Sequence, residues 1–176
     1  LIQFNGTTVS SEEEARVDIP SLNKDQYTVA ARITMPSDGG TDRAILIGGT
    51  VSRWLRLRNF GGQLRVVLNN ADIFIDNVAP IPNGAPTTFV LSFDMTPGGA
   101  GMKVWQDGVL VLDDPVDGVG DILNGFTWNT GGDTRLSSFD YAQNSGFQGS
   151  YEWVFAANRP FSPGAIDWLI ANDPGL

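Results

Sequence analysis

A chain of 176 residues with 41% hydrophobic content can bury a core of its own, and one domain spanning residues 1–176 is expected. Eleven basic against twenty acidic residues leave a formal charge of −9 and a pI near 4.2. That balance serves solubility and argues against nucleic acid, which rewards clustered Lys and Arg, and against anionic lipid. Cysteine and histidine are both absent, which excludes disulfides, thiolate or imidazole metal sites and every Ser-His or Cys-His nucleophile.

No apolar run approaches the ~20 residues a membrane helix needs. The sequence opens on Leu1 without a basic segment followed by an apolar one, so a processed or excised segment is expected. Leu1 to Phe4 reads as a short strand ended by the turn pair Asn5-Gly6. Glu12, Glu13 and Glu14 form a solvated loop, and Ala15 to Ile19 resumes as a strand stopped by Pro20. From Gln26 to Met35 the chain alternates, with Tyr27, Val29, Ala31, Ile33 and Met35 on one face. Further strands follow at Arg43 to Gly49, Arg53 to Phe60, Gln63 to Asn69 and Asp72 to Asp76. Turn signals recur about every 8–12 residues, the spacing of an antiparallel sandwich rather than of βαβ units.

Pro80, Pro82 and Pro86 surround a loop leading into the stretch Phe89 to Asp114. There Phe89, Leu91, Phe93 and Met95 alternate with Val90, Ser92 and Asp94. Met102 to Gln106 and Val109 to Asp113 flank Asp107-Gly108, a two-residue hairpin signal. Pro115 to Gly132 reads as a long irregular loop, Thr134 to Phe139 and Gly149 to Ala157 as the last strands. Tyr151, Trp153 and Phe155 are expected to share one buried face. One helix closes the chain: Ser162 as N-cap, Pro163 in the first turn, then Ile166, Leu169 and Ile170 as the apolar stripe, with Pro174 as a stop.

The opening Phe4-Asn5-Gly6 with Ala15 to Pro20, the strand Tyr27 to Ile33, the hairpin Met102 to Val111 and the tail Phe147 to Ser162 occur in an order that resembles the concanavalin A-like jelly rolls, in their laminin G-like, pentraxin-like branch. The resemblance implies an all-β, two-sheet antiparallel sandwich with one short C-terminal helix. It also implies a binding module for glycans or proteins, with calcium at the rim in some members and glycosidases or lyases among the relatives. The hydrolase relatives carry a strand with Glu-x-Asp-x-x-Glu or Glu-x-Asp-x-Glu, placing nucleophile and acid close together. No such strand exists here, and a non-catalytic protein is expected.

The candidate ligand site lies on Arg53 to Phe60. If Leu55 and Leu57 face the core, then Trp54, Arg56, Arg58 and Phe60 face outward, joined by Arg65 from the next strand. Aromatic faces stack on sugar rings and arginine forks grip carboxylates or sulfates. The competing reading of the same residues is cross-strand packing, with arginine stems covering Trp54 or another subunit burying the face. Trp128 is a rim aromatic; Trp105 and Lys103 are expected to point outward, Trp153 and Trp168 into the core. Calcium, if bound, is expected at Asp140 and Asn144 (with Gln143 nearby) or in the loop bearing Asp113, Asp114, Asp117 and Asp121. The function expected is extracellular or particle-surface recognition of a glycan or surface partner. A structural subunit of a larger assembly, such as a virion decoration, tail or spike protein, is the alternative, with homo-oligomerisation allowed. A carbohydrate-active enzyme is the second alternative.

Overall fold

The computed structural model describes residues 2–5, 17–19, 26–35, 42–50, 53–68, 73–94, 96–114, 134–136 and 148–172. Twelve strands and one helix are present among them. In chain order they are β1 (Ile2–Asn5), β2 (Val17–Ile19), β3 (Gln26–Thr34), β4 (Asp42–Thr50), β5 (Arg53–Phe60), β6 (Gln63–Leu68), β7 (Ile73–Pro80), β8 (Pro86–Asp94), β9 (Gly101–Gln106), β10 (Val109–Asp114), β11 (Thr134–Leu136), β12 (Gln148–Ala157) and α1 (Pro163–Ala171). They form two six-stranded sheets, β1-β12-β3-β8-β9-β10 and β2-β11-β4-β5-β6-β7. Every pairing is antiparallel.

The alternation in β3 and β8 decides how the sheets stack. Tyr27, Val29, Ala31 and Ile33 pair with Phe93, Leu91, Phe89 and Thr87 across the β3–β8 ladder. Their aromatic and aliphatic side chains meet Leu57, Leu64 and Val66 of the second sheet in one buried cluster, so the two sheets close over a shared interior. Tyr27 stacks on Phe93 with ring centroids 5.1 Å apart, and burial pushes its phenol pKa far up, keeping it neutral.

Two tight turns set the ladders. Gly61-Gly62 joins β5 to β6 and Asp107-Gly108 joins β9 to β10, each pair with positive φ at both positions, as a type I′ hairpin demands. Asp107 does more than turn: its Oδ1 accepts from Thr88 N at 2.8 Å while its own N–H donates to Thr88 O at 2.8 Å, tying the hairpin to β8.

The first sheet is covered on its outer face as well. Ala30, Val90 and Trp105 pack with Ile166 of α1, flanked by Trp153, Phe155, Phe161, Leu169 and Ile170. Two buried hydroxyls dock the segment that leads into the helix. Thr28 Oγ1 donates to Arg159 O at 2.9 Å and accepts from Phe161 N at 2.9 Å, and Ser92 Oγ lies 3.3 Å from the same nitrogen. The helix starts one residue later, with Ser162 as N-cap accepting from Ala165 N and Pro163 in the first turn.

Three sequence expectations change here. Trp105 does not point outward; it is 5% exposed, beneath α1, because the outer face of β9 is where the helix lands. Trp168 is not core: it is 66% exposed, about two residues round the helix from the buried Ile166 and so on the opposite side of it. Tyr151, Trp153 and Phe155 do not share a face. The β12–β3 register shifts between Tyr151 and Trp153, so Glu152 is the extra residue of a bulge. Tyr151 therefore enters the inter-sheet core while Trp153 and Phe155 join the layer under α1. Glu152 answers Arg32, its Oε2 accepting from Nε at 2.9 Å. Smaller adjustments concern β7, which runs on to Pro80 beyond the expected Asp76, and Lys103, which is partly exposed and paired with Asp113.

Candidate functional site: the outer face of the second sheet

The second sheet differs from the first in charge. Its strands carry six arginines, Arg43, Arg53, Arg56, Arg58, Arg65 and Arg135, against three acids, Asp18, Asp42 and Asp76. On a chain of net −9, that gathers more than half of the eleven basic residues into one layer.

The registers assign positions to faces. One rung crosses all six strands as Val17, Leu136, Leu46, Leu57, Val66 and Ile75. It is apolar throughout, and its members Leu57 and Val66 are fully buried in the inter-sheet core. The adjacent rung, on the opposite face, reads Asp18, Arg135, Ile47, Arg56, Val67 and Phe74. Arg58 pairs with Arg65 and Phe60 with Gln63 on that same outer face, and Gly49 stands opposite Trp54.

The backbone thus brings four of the five expected ligand residues, Trp54, Arg56, Arg58 and Arg65, onto one face. Trp54, Arg56 and Arg58 are placed by register; Arg65 is placed atom by atom. Its guanidinium carbon lies 3.7 Å from the centroid of the Phe60 ring, and Phe60 is 41% exposed. Such a cation–π contact is worth ~0.5–1 kcal/mol at an exposed site and restricts the rotamers of the fork. On the buried side of the same hairpin, Asn59 Oδ1 accepts from Gly62 N at 3.0 Å and its Nδ2 lies 3.3 Å from Met35 Sδ, which fixes the turn beside Phe60.

Arg135 was not among the expected residues. It comes from a three-residue strand some seventy positions away in sequence, and only the pairing of β11 with β4 sets it on the rung of Arg56. Trp128, Asp140 and Asn144, together with Gln143, Asp117 and Asp121, lie outside the described residues. Among the described residues no group of three or more Asp or Glu could hold a metal ion, and Asp113 is engaged by Lys103. No described helix is long and apolar enough to cross a membrane.

A second polar cluster lies at the β8–β9 turn. Asp94 Oδ1 accepts from the Thr96 hydroxyl at 2.6 Å, Thr96 N at 3.1 Å and Gln26 Nε2 at 3.2 Å. Burial alone would raise the Asp94 pKa, but these donors, with the Ala100 N–H, outweigh it and hold the carboxyl below its ordinary range. A Cβ at Gly99 would stand 2.5 Å from that carboxylate oxygen, so the turn closes only around glycine. This cluster is spent on its own loop.

The architecture has solved counterparts. The fold is a two-sheet antiparallel jelly roll. The NanB sialidase of Streptococcus pneumoniae, in complex with a 2-[(3-chlorobenzyl)ammonio]ethanesulfonate, matches 93% of the chain with a TM-score of 0.67 at 14% identity. The CBM40 carbohydrate-binding module of Ruminococcus gnavus IT-sialidase, bound to alpha2,3 sialyllactose, matches 97% of both chains with a TM-score of 0.62 at 17% identity. The heptameric SAP-like pentraxin of Limulus polyphemus is matched over 97% of this chain and 81% of its own, with a TM-score of 0.64 at 15% identity. The chain spans about a quarter of the length of the NanB sialidase structures it matches. No family model matches the sequence, and no curated protein matches it. At these identities the likeness is one of fold.

Proposed function

We propose that the protein is a non-catalytic, laminin G-like jelly-roll module that binds an extracellular or particle-surface glycan on the outer face of its second sheet. The observation that carries the reading is the rung register that sets Arg58 opposite Arg65, beside Arg56 and Trp54, with the Arg65 fork laid on Phe60. An aromatic residue at each end and arginine forks between them suit a sugar bearing a carboxylate or sulfate: the ring stacks, the acid is held bidentately. Holding Arg65 on Phe60 lowers the entropy lost when it engages a ligand. Jelly rolls of this shape include a module solved with sialyllactose, which supports glycan as the ligand class. Trp128, with calcium held by Asp140 and Asn144, enters the reading as a rim contact.

A glycan array probed in calcium and again in chelator tests it. Binding to acidic glycans is expected, reduced about tenfold in Arg58→Gln or Trp54→Ala, the loss of one charge-assisted or stacking contact. Retention of binding in chelator assigns recognition to the sheet face without the rim calcium. Silence across acidic and neutral glycans sinks the proposal.

A further inference from the structure

Resting on that reading, we infer that Arg135 completes the site and that the ligand is an oligosaccharide with acidic groups on more than one sugar, lying across the strands from β6 to β11. Three placements carry this. Arg135 and Arg56 share an outer rung with only Ile47 of β4 between them. Two strand spacings separate them, ~9.6 Å, whereas Arg58 and Arg65 face each other across one, ~4.8 Å. The arginines therefore occupy three strands, β11, β5 and β6, of a four-strand span rather than gathering round one point, and a single carboxylate cannot reach both ends of the row.

The intervening strand carries glycine and isoleucine at the two positions of this face between the arginines. On β4 the outer position beside Trp54 is Gly49, which has no side chain, and the next position on that face is Ile47. Uncharged positions between two cationic ends suit the body of an oligosaccharide, with its acids at the arginines. Asp18 stands opposite Arg135 on the outermost strand and ends the cationic row. An acidic position beyond Arg135 disfavours a further anionic sugar there, which bounds the ligand at one side.

Calorimetric titration of the full chain with oligogalacturonates (dimer, tetramer and hexamer), heparin oligosaccharides of the same lengths and a neutral maltohexaose tests the inference. Affinity is expected to rise from dimer to hexamer and to fall with added salt, as exposed charge pairs do. Arg135→Gln is expected to weaken hexamer binding about fivefold to tenfold while leaving dimer binding unchanged, and Arg135→Lys to recover part of the loss, charge without the fork. Asp18→Asn is expected to strengthen hexamer binding. Length-independent binding, or a hexamer affinity untouched in a folded Arg135→Gln, overturns the inference and leaves the glycan reading standing. Maltohexaose bound as well as the acidic hexamers overturns it too, and no binding by any probe overturns both.

Discussion

Trp105 and Trp168 offer a matched test of how the first sheet is covered. Trp105 lies on β9 beneath α1 and is buried, whereas Trp168 lies on the far side of α1 and is two-thirds exposed. Truncating Trp105 to alanine removes a ring that buries ~200 Å², which at ~25 cal/mol per Å² corresponds to about 5 kcal/mol before the retained methyl is subtracted. Measured Trp→Ala truncations in cores cost ~3–5 kcal/mol, and the cavity would open between Val90, Ala30 and Ile166, which the sheet ladder and the helix cap hold in place. At ~2–4 °C per kcal/mol for a domain of this size, Trp105→Ala should lower Tm by about 10 °C or more. Trp168→Ala should stay within ~0.5 kcal/mol of the parent. Denaturant melts followed by far-ultraviolet dichroism read both. Equal effects, or a Trp105→Ala protein that keeps its stability, would refute the burial of Trp105 and restore it to the surface.

Two further outcomes follow from the polar contacts. Thr28→Val deletes the hydroxyl that holds Arg159 O and Phe161 N on the sheet, leaving a buried N–H with only the longer Ser92 contact. A cost of ~1–3 kcal/mol is expected, with faster hydrogen exchange confined to residues 159–172; uniform exchange across both sheets would count against the docking role. Asp94 has a folded pKa below its ordinary value of 3.8, so its contribution is present above that value and disappears as pH falls through the lower folded one. Asp94→Asn should therefore be less stable than the parent at neutral pH, with the two curves converging as pH falls below 3.8. A gap that stayed constant down to that pH would remove the carboxylate from the account.

What the sequence by itself determined was local. Period-2 alternation located the strands, Gly61-Gly62 and Asp107-Gly108 the hairpins, and Ser162 with Pro163 the helix start, because each depends on residues within a few positions of one another. Alternation also put Leu57 on the inner side of β5, where it and Asn59 are buried, and Phe60 on the other, where it is exposed.

Only the tertiary structure decided which faces are covered. A strand with one apolar face and one face of Thr, Val and Ser reads as half-buried, yet β8 is buried on both, because a tail 69 residues on from Ser92 returns to lie on its outer face. The bulge at Glu152 likewise has no local mark: it exists because β12 must give Tyr151 to one layer and Trp153 to the other, which reversed the expected face of two aromatics. Arg135 joins Arg56 by the same kind of cause. Hydrogen-bonded pairing between distant segments sets the neighbours of a side chain in a sheet, and neither alternation nor composition carries that pairing.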